Sequence, residues 1–343
     1  MGINMHIFGE LMSIELKYKF KYHLTVAVLA ALALFFGWCG VAYRLEGMIM
    51  LPLTASFIAA LICVEKRRIA SLAVSAILIG AEFIVGLSDY HTLSALCSVL
   101  VAVIISVFFT KKMDKSDSAM LSMLVTTVVI LAMAAIYFIS TTEASTLYEA
   151  YEHFLALYAD FKDSVITSVI SAAQSSGADT SGISTEYMHE VFDAYLHCIV
   201  ALVAILAFML VGLAYKLFTG LMRICSAKPE QTAFWQFIPS VTFAYFYFAL
   251  AFLSLFSINT ESVLSVSVVN LYLIFTFVFS YVGYRYTVAL ISQKGRSKRF
   301  SRFTIIALTV LFSSIALQIL AAIGAFITAK YSKIAQDIKS DKH

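Results

Sequence analysis

Residues 199–215, IVALVAILAFMLVGLAY, contain no charged side chain and lie within a longer apolar stretch, 194–218. A helix of about 20 mostly apolar residues is long enough to cross the hydrocarbon core of a bilayer. Lipid offers the backbone no hydrogen-bond partner, so a spanning segment of this kind is expected to be an α-helix. The stretch therefore predicts a transmembrane helix.

Comparable stretches recur along the whole chain of 343 residues. Hydrophobic residues make up 61% of the sequence and charged residues 13%, whereas a soluble domain has about 45–50% and about 25%. This composition excludes an ordinary soluble globular protein. We expect an all-α, multi-pass transmembrane helical bundle with about nine spans, at 23–42, 47–64, 69–88, 92–110, 119–140, 194–218, 236–257, 263–291 and 303–329.

The lysines and arginines cluster at the ends of the apolar stretches, and the net charge is only +3. This distribution indicates control of membrane orientation rather than nucleic-acid binding. Most of them lie in the N-terminal segment and in every second connection after it, so the positive-inside rule predicts a cytoplasmic N-terminus. The lysines from Lys330 to Lys342 break this alternation, so either the tail lies outside or the number of spans differs by one. The simple connections favour a bacterial cytoplasmic (inner) membrane.

One long hydrophilic connection, 141–193, carries nine acidic residues and a single lysine. An acidic connection with so little positive charge is expected on the outer face of the membrane. It divides the chain into an N-terminal five-helix membrane half, 1–140, and a C-terminal four-helix membrane half, 194–343.

Within this acidic segment, apolar residues from Leu147 to Val169 recur at alternating spacings of three and four, which is typical of an amphipathic helix. Its polar face is acidic, and anionic lipid headgroups would repel it. We therefore expect this helix to pack over the other helices as a lid, or to form a surface for a partner. Ser184 or Thr185 is expected to cap the helix that follows.

Glu82 lies well inside the third expected span. A carboxylate at mid-membrane costs about 2.5–3.5 kcal/mol on insertion scales, so it normally faces a cavity or a partner. Arg44, Trp38, Tyr43 and His91 are expected near the same level on the outer side. One interpretation is a ligand or cation pocket that is open to the outside and formed by these five residues. The alternative is a buried carboxylate with serine hydroxyls or the backbone as partners.

Five other polar residues lie within or beside the later spans. Arg285, near the cytoplasmic end of the eighth span, is expected to extend its guanidinium to the interface. Asn270 and Gln318 lie deeper and suit hydrogen bonds between helices. Asp193 and His197 share one helix face, where they form either a cation-binding pair or a hydrogen-bonded pair.

Pro52 lies inside the second apolar stretch and is expected to remove a backbone hydrogen bond and bend that span. Ala27 and Ala31 form a small-xxx-small pair on the first span. Pairs of this kind let two transmembrane helices approach closely.

The motifs of common catalytic and metal sites do not occur in the sequence. The five cysteines form no CxxC pattern, so we expect small buried hydrophobic side chains rather than a disulfide framework or a metal site. The sequence contains no P-loop, no HExxH and no GxSxG. We expect no enzymatic activity, no ATPase of its own and no cofactor.

Residues 234–240, FWQFIPS, follow a cytoplasmic connection, and a helix with Asn270 and a terminal helix with Gly324 come after them. Together with the acidic segment, this layout resembles the YybS-like family of uncharacterised bacterial predicted membrane proteins. The resemblance implies an N-terminal half similar to the substrate-binding subunits of energy-coupling-factor vitamin transporters. Such subunits bind a small molecule and dock on transmembrane and ATPase partner subunits, and the pair Ala27 and Ala31 is similar to their docking alanines.

Two functions compete on these observations. The first is a small-molecule binding or transport component, with Glu82 in its pocket. The second is a non-enzymatic membrane assembly or regulatory scaffold that acts through the acidic outer helix and the basic connections. In both, the surrounding partner is the lipid bilayer, and no nucleic acid is expected.

Overall fold

The structure, a computed structural model, describes residues 2–65, 68–89, 93–110, 115–141, 146–176, 184–225, 239–257, 263–293 and 297–340. These residues form eleven α-helices and one 3-10 helix, so the expectation of an all-α protein is confirmed. The 3-10 helix is Arg44–Met50. The α-helices are α1 (Gly2–Ala42), α2 (Leu51–Val64), α3 (Ile69–Asp89), α4 (Ser94–Phe109), α5 (Lys115–Thr141), α6 (Leu147–Ser175), α7 (Thr185–His197), α8 (Ile199–Ile224), α9 (Val241–Ser257), α10 (Val263–Gln293) and α11 (Lys298–Ser340).

Long apolar helices dominate the described part of the chain. Four shorter apolar stretches lie in α3, α4, α9 and α11. Large apolar side chains such as Phe83, Ile84 and Phe326 are exposed on them, as expected for surfaces that face lipid tails. The chain is therefore an integral, multi-pass membrane protein in contact with the bilayer. Five stretches are long and apolar enough to cross a membrane: Phe20–Ala42, Gly47–Val64, Asp117–Ile136, Ile199–Ile224 and Leu264–Ile291.

The helices form two compact units. Unit 1 consists of Met1–Tyr151 and Ala207–Phe237, and unit 2 consists of Glu152–Leu206 and Ile238–His343. The chain crosses between the units within α6 and within α8. The division of the chain at residues 140 and 193 stays a prediction.

In unit 1, α2 packs between α1 and α4, and α3 packs against α1 and α4. Small side chains such as Ala55, Ala59 and Ala60 are fully buried on α2, which lets the helices approach closely without a large gap. From α8, the ring of Tyr215 packs edge-on against Phe108, with centroids 5.5 Å apart. The Tyr215 hydroxyl forms a hydrogen bond with the hydroxyl of Ser118.

The second apolar stretch begins with a 3-10 turn rather than a continuous α-helix. Pro52 is the second residue of α2, and in the first helical turn a proline removes no helical hydrogen bond. The expectation that Pro52 removes a backbone hydrogen bond of the helix is therefore wrong, and the expected bend of the span stays a prediction. Upstream of it, Gly47 lies directly against Gly40 of α1, where a Cβ atom would clash with the Gly40 carbonyl.

In unit 2, α10 packs closely along α11 and also against α9. The crossing of α10 and α11 is built on Gly283 and Gly324. A Cβ atom on Gly283 would clash with the carbonyl of Leu320, and one on Gly324 would clash with the carbonyl of Phe279. Such backbone contact between membrane helices requires residues without a side chain.

We expect Gly283→Ala to lower the free energy of unfolding by about 1–3 kcal/mol, because the added methyl group overpacks a backbone contact. Gly220→Ala is the matched control, since no atom lies within 4 Å of a Cβ at that position and alanine favours a helix by about 0.5–1 kcal/mol. Denaturant unfolding in mixed micelles measures both variants. Equal stability of the two variants would contradict the close crossing.

Candidate functional site

Glu82 is buried, with 5% of its surface exposed, and its carboxylate faces the N-terminus of α4. Oε1 accepts a hydrogen bond from the backbone N–H of Ala95 at 2.9 Å, and Oε2 accepts one from Leu96 at 3.0 Å. These residues are the second and third of α4, whose first N–H groups have no partner within the helix. The positive end of the helix dipole also favours the ionised carboxylate.

The local sequence explains why a residue from another helix is needed here. The N-cap residue of α4 is Leu93, which makes no side-chain hydrogen bond to the helix. In a bilayer, unsatisfied N–H groups cost several kcal/mol each. Glu82 of α3 supplies the missing acceptors from 13 residues earlier in the chain. This geometry corresponds to the alternative of a buried carboxylate with backbone partners.

The other residues of the expected outer pocket are placed differently. Trp38 and Tyr43 are exposed, in contrast to the buried Glu82. Arg44 is the first residue of the 3-10 helix, and its side chain lies outside the described part of the structure. His91 also lies outside the described residues. A ligand site formed by these five residues stays a prediction.

Ala27 and Ala31 are both exposed on α1, whereas Leu29 and Ala33 of the same helix are buried. The alanine pair therefore lies on a face of α1 that the described residues of unit 1 leave exposed. Docking of a partner helix on this face stays a prediction.

A second carboxylate, Glu65, has the same role at the N-terminus of α3. Its Oε1 accepts from the N–H of Ala70 at 2.8 Å, and its Oε2 accepts from Ser71 at 2.9 Å. These are again the second and third residues of the helix. Arg68, immediately before α3, has a φ of 57°, a left-handed conformation that only glycine adopts without cost.

A half-open cavity of about 570 Å³ lies beside Glu65, between α2, α3 and α4. This volume is in the range of small-molecule sites, about 300–1,000 Å³. The cavity lies at the N-terminal end of α3, whereas Glu82 lies in the C-terminal half of that helix. Its lining combines polar and apolar residues: Ile62, Cys63, Glu65, Arg68, Ser71, Leu72, Ser75, Val99, Val103, Ser106, Val107, Phe109 and Thr110.

The cavity was not expected from the sequence, which directed attention to Glu82. Glu65 follows an apolar stretch and precedes the three basic residues 66–68, so its position is typical of an ordinary connection. The sequence signal for the capping role of Glu65 is an acidic residue a few positions before a helix whose N-terminus lacks a Ser, Thr, Asp or Asn cap.

Asn270 forms the expected hydrogen bonds between helices in unit 2. Its Oδ1 accepts from the N–H of Ala201 at 2.8 Å, and its Nδ2 donates to the carbonyl of His197 at 2.6 Å. His197 ends α7 and Ala201 is the third residue of α8. Asn270 therefore satisfies backbone groups on both sides of the break at Cys198. Gln318, for which the same role was expected, is exposed on α11.

The acidic helices α6 and α7 contact each other through polar groups. Lys162 Nζ lies 2.8 Å from Asp193 Oδ1, and the Tyr158 hydroxyl donates to the carbonyl of Phe192. Burial and the nearby charge of Asp193 raise the pKa of Tyr158. Ser184 accepts a hydrogen bond from Tyr187 N–H at 3.2 Å, which confirms it as the cap of α7.

Asp193 and His197 do not form a cation-binding pair in this arrangement. The carboxylate of Asp193 is paired with Lys162, and His197 Nδ1 lies 2.7 Å from the backbone carbonyl of Asp193. Within the described ranges, no group of three or more His, Cys, Asp and Glu side chains is arranged to hold a metal ion.

Comparison with protein-family models, with curated proteins and with solved structures finds no match for this chain.

We expect Glu82→Gln to lower the free energy of unfolding by about 2 kcal/mol, because a charged hydrogen-bond acceptor contributes about 1.5–3 kcal/mol. The glutamine amide accepts from one N–H of α4 and directs its NH₂ group at the other. Glu152→Gln, on the exposed surface of α6, is the matched control. Unfolding in mixed micelles is the measurement, and unchanged stability of Glu82→Gln would contradict the capping role.

Replacement of Asn270 by leucine is expected to destabilise unit 2 by about 2–4 kcal/mol, because buried backbone groups at the α7–α8 break lose their partners. The control is Gln318→Leu, which also replaces a side-chain amide by leucine but at an exposed position. This variant is expected to leave the free energy of unfolding nearly unchanged. Hydrogen exchange of the amides around Cys198 locates the effect. Equal protection of those amides in both variants would contradict the role of Asn270.

Proposed function

We propose that this chain is a small-molecule binding or transport component of the bacterial cytoplasmic membrane, without an ATPase or a catalytic activity of its own. The cavity of about 570 Å³ between α2, α3 and α4 supports this proposal most directly. It combines two charged groups of opposite sign, several hydroxyls and an apolar wall, which is the composition of a site that binds and orients a small ligand.

The proposed topology has nine spans, formed by the five long and the four shorter apolar stretches. The distribution of lysine and arginine supports a cytoplasmic N-terminus and an outer acidic segment that contains α6 and α7. In this topology the connection between α2 and α3 is cytoplasmic. The cavity beside Arg68 would then be reached from the cytoplasmic side, and Glu82 would lie toward the outer side.

The resemblance to the YybS-like family adds a partner to this proposal. Transmembrane and ATPase subunits would supply the energy for transport, as in energy-coupling-factor transporters. The exposure of Ala27 and Ala31 on α1 supports docking of a partner helix on this face, because small residues allow close helix contact.

We expect a small molecule to co-purify with the full chain from its host membranes, and Ser75→Phe to remove it. Ser75 lines the cavity, so a phenyl ring there would fill the ligand volume. The matched control is Ala76→Phe, which places the same ring on the next, exposed position of α3. Mass spectrometry of the purified proteins measures the bound molecule.

Loss of the molecule from the Ser75→Phe variant alone would support the cavity as its site. Absence of any bound molecule from the native chain, or its equal retention in both variants, would reject the proposal. The same samples report partners, because ATPase subunits in stoichiometric amounts would appear beside the chain.

A scaffold function is the alternative, and the surface of α6 and α7 favours it. Tyr151, Phe161 and Tyr187 are exposed there on acidic helices, and aromatic residues are enriched at protein interfaces. This alternative would gain support if the chain co-purified with membrane or envelope proteins and no small molecule. Replacement of Tyr151 and Phe161 by serine should then release those proteins.

A further inference from the structure

We propose that the cavity between α2, α3 and α4 binds one anionic phospholipid with a hydroxyl-bearing headgroup, whose phosphate pairs with Arg68. This inference rests on the proposed function, because it names the class of ligand that the cavity takes. Its four supports are a guanidinium without a salt bridge among the described residues, an apolar wall that is open to lipid, three hydroxyls whose protons are bonded to backbone carbonyls, and the charge of the flanking sequence.

Arg68 supplies the charge that a phosphate requires. Its side chain is exposed at the rim of the cavity, and no carboxylate of the described residues forms a salt bridge with it. The nearby carboxylate of Glu65 has both oxygens engaged by the backbone N–H groups of α3. The guanidinium is therefore available to make the paired hydrogen bonds that arginine forms with phosphate.

The backbone at Arg68 also indicates a requirement for its side chain. A φ of 57° is unfavourable for any residue with a Cβ atom. Glycine would remove this strain, yet the position carries the longest basic side chain. Residues in strained conformations occur preferentially at functional sites, where the surrounding structure holds them. Here the hydrogen bond from the Ser71 hydroxyl to the Arg68 carbonyl, 2.9 Å long, holds the turn.

The apolar wall of the cavity favours a lipid over a soluble phosphate. Leu72 is 68% exposed and Val103 is 45% exposed, and both line the cavity from the facing helices α3 and α4. Their side chains lie within apolar stretches of the membrane helices. A soluble phosphate would leave this wall without a partner, whereas an acyl chain would lie along it.

Three of the four hydroxyl groups of the lining favour a headgroup that donates hydrogen bonds. Ser71, Ser106 and Thr110 each donate the hydroxyl proton to a backbone carbonyl, at 2.9, 2.7 and 3.0 Å. They therefore present only lone pairs to the cavity and accept hydrogen bonds from a ligand. A glycerol headgroup has hydroxyl donors for them and carries no positive charge.

The basic residues of the flanking sequence disfavour a headgroup with an ammonium group. In sequence, Lys66 and Arg67 lie between two lining residues, and Lys111 and Lys112 follow Thr110. Basic segments at the cytoplasmic surface attract anionic lipids. Phosphatidylglycerol combines the negative phosphate with a hydroxylated, uncharged headgroup, so it fits the lining better than phosphatidylcholine or phosphatidylethanolamine.

Native mass spectrometry of the full chain in detergent tests this proposal. The probes are phosphatidylglycerol, phosphatidylcholine with the same acyl chains, and glycerol 1-phosphate as the soluble source of the same headgroup. We expect phosphatidylglycerol to bind at least about tenfold more tightly than phosphatidylcholine, because only the former places a net negative charge beside Arg68. Glycerol 1-phosphate is expected to bind far more weakly, since it lacks the acyl chains.

Arg68→Gly separates a binding defect from a folding defect. The glycine accepts the left-handed backbone, so we expect stability to be kept or raised while the preference for phosphatidylglycerol falls at least about tenfold. Arg299→Gly, at an exposed arginine of α11, serves as a control for the loss of one charge and should keep the preference. Leu72→Ser should weaken phosphatidylglycerol but leave glycerol 1-phosphate unchanged.

Equal binding of the two phospholipids, or an unchanged preference in Arg68→Gly, would overturn the proposal. Tight binding of glycerol 1-phosphate that is insensitive to Leu72→Ser would assign the cavity to a soluble phosphate ester instead. A different co-purified molecule that Ser75→Phe removes would leave the proposed function intact and reject the lipid. If no small molecule co-purifies with the native chain and phosphatidylglycerol shows no preference either, a ligand in this cavity is rejected altogether.

Discussion

The fold depends on how buried helix N-termini obtain hydrogen-bond acceptors. Glu65 and Glu82 each accept two N–H groups, from the second and third residues of α3 and α4. At the N-termini of α6, α7 and α11, the hydroxyl of the serine or threonine just before the helix accepts a hydrogen bond from a single backbone N–H. A hydroxyl accepts one N–H and leaves the remaining donors to other partners, whereas the two oxygens of a carboxylate compensate two N–H groups at once. In unit 2 the side-chain amide of Asn270 forms hydrogen bonds with backbone groups on both sides of the break between α7 and α8.

These polar contacts allow the chain to turn inside apolar surroundings. The N-terminus of α4 approaches α3 because Glu82 compensates its unpaired N–H groups, and the negative charge of Glu82 is stabilised in return by the helix dipole. Asn270 likewise lets α7 end and α8 begin with only Cys198 between them. Where no polar group is involved, close contact is made through glycine, as at Gly283 and Gly324. Polar residues in the apolar helices are therefore part of the packing and are not by themselves evidence of a ligand.

The sequence predicts the helices well because the apolar stretches must cover a membrane and because caps such as Ser184 act within four residues. It also predicts the role of Asn270, since a buried amide in a span has few alternatives to a neighbouring helix. It does not reveal the partner of Glu82, because the N-terminus of α4 meets α3 only through tertiary packing. The consequence of Pro52 was wrongly predicted for a similar reason: an apolar stretch does not show where a 3-10 turn gives way to the helix. The cavity was missed because its polar residues come from three helices and resemble an ordinary connection in sequence.

The capping of α3 also determines the electrostatics of that cavity. A carboxylate beside an arginine would normally form a salt bridge and leave no net charge for a ligand. Glu65 instead directs both oxygens at the helix backbone, so its charge is offset by the helix dipole and Arg68 keeps its own charge at the rim. The hydroxyls that bond to backbone carbonyls add acceptors but no donors. The contacts that end α2 and begin α3 thus leave Arg68, among the described residues, as the unpaired charge at the rim of the cavity. Glu82, in the C-terminal half of α3, forms a buried contact that the N-terminus of α4 compensates.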